Sequence, residues 1–103
     1  MPKQKTKFYL KVHPRIEHYL VAMCDEALLG TTLQEGDIVF KVSEEFYGGD
    51  LVDIATCLEH MKAATIINMI GEETVNAAIE AGIVHENSVL YIQGQPHAQW
   101  VRL

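Results

Sequence analysis

The sequence predicts an α+β domain of two layers, a mainly antiparallel sheet of about five strands with two main helices on one face. Three observations point there. The chain opens on two apolar runs of strand length, "FYLKVH" (8–13) and "HYLVAMC" (18–24), and closes on two more, "VLYIQ" (89–93) and "HAQWVRL" (97–103). Its helical periodicity lies between them, and strands blocked around helices mark α+β rather than an alternating parallel fold. Finally, 103 residues leave room for one core and not two. A chain of this length buries roughly 60–70% of its unfolded surface and needs no staples.

The elements follow in order. Phe8, Leu10 and Val12 alternate with Tyr9, Lys11 and His13, the period of a half-buried strand. "HPRIE", with Pro14, reads as a hairpin connection into the apolar strand 18–24. "DEALLG" (25–30) opens on Asp25 as a capping residue and ends in Gly30, enough for one or two helical turns. "QEGD" is a turn, and "DIVFKV" (37–42) alternates again with Ile38, Phe40 and Val42 on one face. "YGGD" (47–50) reads as a flexible break before a helix capped by Asp50. In that helix Leu51, Ile54, Ala55, Leu58 and Met61 form one apolar stripe, ending near Ala64. "TIINMIG" (65–71) interrupts with β-branched residues and a glycine, and "EETVNAAIEA" (72–81) forms a second helix stopped by Gly82. "GQP" (94–96) then reverses the chain into the last strand.

With 49% hydrophobic and 21% charged residues the composition is that of a globular chain. The longest apolar run, "YLVAMC" (19–24), is far short of the ~20 residues that span a bilayer. The start "MPKQKTKFYLKV" has neither a long apolar region nor a small-residue cleavage site, so no signal peptide and no membrane contact are expected. Cys24 and Cys57 are too few for a disulfide framework, and free thiols suit the cytoplasm.

Charge is segregated. Lys3, Lys5, Lys7, Lys11 and Arg15 precede every acid, and residues 16–103 carry three basic groups against all fourteen acids, a net of −11. Residues 1–7 therefore read as a basic arm on a domain spanning 8–103. Lys3, Lys5 and Lys7 are candidate phosphate contacts, while an acidic body repels a phosphate backbone. The alternative is a solvated tail that aids solubility.

Few residues carry the patterns of catalysis. Cys57 and His60 share a helix face, but no second ligand pair completes a zinc site, so neither metal nor cofactor is expected. Cys24 as a nucleophile is opposed by Asp25 and Glu26. There is no G-x-S-x-G elbow and no phosphate-binding glycine loop. "NMIGEETVNAAIEAGIV" (68–84) resembles part of a helix-hairpin-helix, but Gly71 stands alone where that module has two glycines, and Glu72 and Glu73 follow it. A bare helical hairpin explains the stretch better. Asn68 and Gly71 remain binding candidates.

The C-terminal turn is the stronger site. Gly94 permits a positive φ, Pro96 fixes direction, and His97 and Gln99 then share one face of the last strand while Ala98 and Trp100 pack on the other. Gly94, Gln95, Pro96, His97 and Gln99 are the predicted recognition residues. A plain hairpin with His97 and Gln99 facing water is the competing reading.

Taken together, "FYLKV", "VAMCDEALLG", "EGD", "SEEFYGGDLVD", the Asn68–Gly71 segment and, most specifically, "GQPHAQ" are similar to an archaeal family catalogued as domain of unknown function 424. The similarity runs from about Phe8 to Leu103, with "MPKQKTK" outside it. It implies an archaeal, cytoplasmic, compact single domain, and it brings no activity, cofactor or catalytic residue.

The expected function is a non-enzymatic binding module associated with RNA or a translation-linked assembly, the arm touching phosphate and the hairpin making polar contacts. One alternative is a small enzyme acting on a polar or nucleotide-like molecule with His97 as acid or base. Another is a protein–protein interaction domain using a sheet edge. A pocket lined by His97 with Asn68 or a carboxylate favours the enzyme, and an exposed, convex hairpin tip favours the binding module.

Overall fold

The structure is a computed structural model that describes residues 6–14 and 18–102. Strands β1 (Phe8–Pro14) and β2 (Tyr19–Asp25) are followed by a 3-10 turn (Glu26–Leu28), the hairpin β3 (Thr32–Glu35) and β4 (Ile38–Lys41), and a one-turn helix α1 (Glu44–Tyr47). Then come β5 (Asp50–Val52), α2 (Ile54–Ala63), β6 (Ile66–Ile70), α3 (Glu72–Glu80), a second 3-10 turn (Glu86–Ser88), β7 (Leu90–Ile92) and β8 (Gln95–Val101). Six strands form the main sheet in the order β5-β1-β2-β6-β8-β7, and β3 with β4 forms a separate ribbon. Every pairing in the main sheet is antiparallel except β2 with β6.

The main sheet has six strands where about five were expected, and the two long helices both contribute to the core on one of its faces. Cys57 and Met61 of α2 and Val75 and Ala78 of α3 join Phe8, Val21, Met23, Ile67, Met69 and Ala98 in one buried cluster. The other face is not bare. Leu33, Val42 and Tyr47 cover Ala22, Cys24, Ile70 and Ile92, so the β3–β4 ribbon and α1 add a partial third layer. This explains why β2 reads as an unbroken apolar run. Val21 and Met23 face the helices, Ala22 and Cys24 face the ribbon, and all four are fully buried.

Several boundaries differ from the sequence reading. The segment 65–71 is not a helical interruption but the central strand β6, parallel to β2, with Leu20 opposite Ile66 and Cys24 opposite Ile70. Residues 68–84 are thus a strand followed by a helix, and the helical hairpin is replaced. The first long helix starts later because Asp53, not Asp50, caps it, its Oδ1 accepting from the Thr56 amide at 2.9 Å. Asp50–Val52 instead extends the sheet beside β1, and Leu51 stays exposed. A Cβ at Gly49 would collide with the Leu10 carbonyl, so the lack of a side chain there lets the chain lie against β1. The last strand begins at Gln95, and Gln93 and Gly94 form the turn with φ of 51° and 79°, the paired positive values of a two-residue hairpin.

Pro96 therefore sits inside a strand flanked on both sides. Its carbonyl accepts from the Gly71 amide at 2.9 Å, beyond the end of the β6 ladder. A strand residue's nitrogen points the same way as its carbonyl, so the missing N–H falls where no ladder acceptor waits.

Candidate functional site

Strand alternation along β8 sends Pro96, Ala98 and Trp100 toward the helices and His97 and Gln99 to the ribbon face. Ala98 is buried and Trp100 half-buried against the helix-side core, with the Arg102 guanidinium 5.4 Å from its ring centre. Across the ladder, Asn68 of β6 lies opposite Gln99 and Ile70 lies opposite His97. Asn68, His97 and Gln99 thus form the floor of a cleft of about 580 Å³, with Leu20, Phe40, Lys41, Ser43, Phe46 and Tyr47 as its walls.

Long-range hydrogen bonds hold those walls in place. At one end the Gln34 amide donates to Gln93 Oε1 and the Gln93 amide donates to Glu35 Oε1, both at 2.8 Å, clipping the ribbon to the β7–β8 turn. At the other end Lys11 Nζ donates to the Glu45 carbonyl at 2.6 Å and His13 Nε2 to the Phe46 carbonyl at 2.7 Å. The His13 ring also stacks on Phe46 at 4.7 Å. Two side chains of β1 thereby tether α1 over the sheet. Ser43 caps α1 through Oγ, which accepts from the Phe46 amide at 3.2 Å. Phe46 meets Tyr47 edge-on at 4.9 Å, and Phe40 meets His97 edge-on at 5.0 Å, so the aromatic walls support one another.

The floor is held differently. Among the described residues the side chains of Asn68, His97 and Gln99 have no hydrogen-bond partner, and Lys41 has no ionic one. No carboxylate lines the cleft. Burial holds His97 below the usual histidine range, so near neutral pH its imidazole is uncharged, with one nitrogen donating and the other accepting. Burial, with a further contribution from Cys24, also raises Tyr47, which remains a phenol. Cys24 is fully buried beside the cleft, and burial followed by the Asp25 charge pushes its thiol up to about 12. A thiol held protonated in this way is a poor nucleophile.

Of the predicted recognition residues, the structure gathers His97, Gln99 and Asn68. Gly94 and Gln95 stand at the hairpin tip, away from the cleft lining, and Pro96 is buried on the helix side. Gly71 serves the start of α3. Its φ of 115° and its contact with the Asp25 carboxylate leave no room for a Cβ. Asp25 Oδ1 accepts from the Thr74 amide and the Thr74 hydroxyl at 2.8 Å, and Oδ2 accepts from the Glu73 amide at 3.1 Å. The helix N-terminus is thus filled by the chain's own carboxylate, and Asp25 caps α3 rather than the 3-10 turn that follows it in sequence.

Phe40, Lys41, Ser43, Phe46 and Tyr47 were not singled out from the sequence as site residues. "FYGG" offered an aromatic pair before a double glycine, but only the ribbon's placement turns it toward His97. Cys57 is buried in the core, its thiol pushed up to about 12 by burial and then by Asp53. His60 Nδ1 shares a 2.9 Å hydrogen bond with the Tyr19 hydroxyl. Among the described residues no three His, Cys, Asp or Glu side chains are grouped to hold a metal ion. Nor is any helix there long and apolar enough to cross a membrane.

Lys3 and Lys5 lie outside the described residues. Lys7 is exposed, and its charge acts on Asp53, whose carboxyl is held below the usual range first by the Thr56 amide and hydroxyl. Lys7 is not among the residues that line the cleft, so the two are separate features.

A family model described as "Protein of unknown function (DUF424)" matches residues 15–103. Among solved structures, the chain is similar to an uncharacterized conserved protein from Methanopyrus kandleri, with a TM-score of 0.80 and 25% identity over 94% of each chain. No curated protein matches significantly.

Proposed function

For a chain that belongs to the DUF424 family of proteins of unknown function, we propose a role set by its cleft: recognition of a planar, hydrogen-bonding ring of the nucleobase kind, without covalent chemistry. The observation that carries this reading is the floor. Asn68, His97 and Gln99 hold unspent donors and acceptors in one aromatic-walled hollow. A base edge asks for such a set, because an amide offers a donor and an acceptor side by side and neutral imidazole offers one of each. Phe40 and Phe46 supply apolar faces for the ring to lie against. A binding role rather than a catalytic one is supported by the lining, which holds no carboxylate and no activated nucleophile. The expected link to RNA keeps its chemistry in this form, since an unpaired RNA base and a free nucleotide present the same ring. The acidic body favours a short or free ligand over a duplex. Two free thiols support a cytoplasmic setting.

Calorimetric titration with the four nucleosides, and separately with a single-stranded RNA hexamer, tests the proposal. Side-chain amide shifts of Asn68 and Gln99 report the place of binding. Asn68→Ala with Gln99→Ala removes two hydrogen-bonding groups, about 1–3 kcal/mol, and weakens binding by roughly 5- to 150-fold. The melting temperature stays unchanged, because neither side chain has a partner within the fold. Absence of binding at millimolar nucleoside and at micromolar hexamer, or amide shifts confined to the Gly94 tip, sinks the proposal.

A further inference from the structure

Lys41 and Ser43 each line two hollows. One is the aromatic cleft, and the other is an adjoining depression of about 360 Å³ bordered by Gly30, Glu44 and Glu45. Lys41 is the single cation among the lining residues of either, and its ammonium has no partner among the described residues. Ser43 Oγ accepts from the Phe46 amide, which leaves its own hydrogen free to donate. Lys11, the nearest strand cation tied to α1, is already engaged by the Glu45 carbonyl. Lys41 and Ser43 thus border both hollows, a cation and a hydroxyl donor suited to an anion, and Glu44 and Glu45 border the second.

We propose that the cleft's ligand carries a single phosphate, or an equally compact anionic group, beside its ring, and that Lys41 and Ser43 take it while Glu44 and Glu45 exclude longer phosphate chains. This rests on the ring-binding reading above and narrows it to a monophosphorylated nucleotide or a single nucleotide at the end of a strand. The cleft proper is neutral apart from Lys41, so the first phosphate meets one cation with no acid between them, and a second or third phosphate meets the Glu44 and Glu45 side of the depression. Like charges at short range disfavour the longer chain even where its size fits, most strongly at low salt.

The test compares adenosine, AMP and ATP, and the corresponding uridine set, by calorimetry on the wild-type chain and on Lys41→Met. AMP or UMP binds roughly tenfold more tightly than its nucleoside, as a charge-assisted contact gives. The triphosphate binds more weakly than the monophosphate, and raising the salt shrinks the gap between monophosphate and nucleoside. Lys41→Met abolishes that gap, so that the monophosphate binds no more tightly than its nucleoside. In Glu44→Gln with Glu45→Gln the triphosphate recovers to the level of the monophosphate. Nucleoside binding without any gain from a phosphate, or a triphosphate that binds tightest to the wild type, overturns the inference and leaves the ring site standing. Binding of neither nucleoside nor monophosphate overturns both.

Discussion

Asp25→Ala is the substitution with the largest consequence that local sequence does not announce. The Asp25 carboxylate accepts three hydrogen bonds from the start of α3, two from the amides of Glu73 and Thr74 and one from the Thr74 hydroxyl. Loss of a capping acceptor costs about 0.5–2 kcal/mol. Thr74 is fully buried, so its hydroxyl also loses its acceptor, and an unsatisfied buried group costs about 1–3 kcal/mol. The two effects overlap in one side chain, and we expect roughly 2–4 kcal/mol in total. For a domain of this size each kcal/mol lowers Tm by about 4–8 °C, so the variant melts at least about 8 °C lower. Urea denaturation followed by circular dichroism measures the difference. Thr74→Val in the Asp25→Ala background removes the orphaned hydroxyl and returns part of the loss, whereas alone in the wild type it destabilises. A cost below about 1 kcal/mol for Asp25→Ala, or no sign change for Thr74→Val between the two backgrounds, refutes the reasoning.

Other expectations follow from the same structure. Trp100→Ala costs about 2–3 kcal/mol, below the 3–5 of a fully buried ring, because Trp100 is only half-buried against the helix-side core; denaturant midpoints check this. Cys24 and Cys57 are each raised from an ordinary value of 9.0 to about 12 by burial. The unfolded thiols therefore lose protons first, and their stability contribution, complete below about pH 9, falls as pH rises toward about 12. The Cys24→Ala, Cys57→Ala double variant shows a shallower decline over that window, and neither native thiol reacts with a disulfide reagent at pH 8. Deleting residues 1–7 leaves nucleoside affinity unchanged, since Lys7 is not among the residues that line the cleft. If Lys3, Lys5 and Lys7 touch phosphate, the deletion also flattens the salt dependence of RNA hexamer binding by roughly two units on a log–log plot.

For residues 97–100 of β8 the sequence alone determined sidedness, because alternation is a property of extended backbone and needs no partner. Ala98 and Trp100 pack, and His97 and Gln99 face away from that core, as the period-two pattern required. The helix 72–80 was equally legible, with acids in its first turn and Gly82 after its end. What the sequence could not decide is what lies opposite each residue. Strand β6 is a strand because β2 pairs with it, and Leu20 meets Ile66 across 46 positions of chain. By local propensity "TIINMIG" is only a β-branched run beside a glycine. Asp25 looked like the cap of the residues that follow it, and it caps α3 instead, 48 and 49 positions on, because the parallel pairing of β2 with β6 brings the end of β2 beside Gly71. The same holds for the site. Asn68 joins His97 and Gln99 through a strand register, and Phe40, Lys41, Phe46 and Tyr47 join them only when Gln93, Lys11 and His13 fasten the ribbon and α1 over the sheet. Local periodicity orients a side chain, but a cleft needs two surfaces, and the second surface here is held by contacts that span 33 to 59 residues.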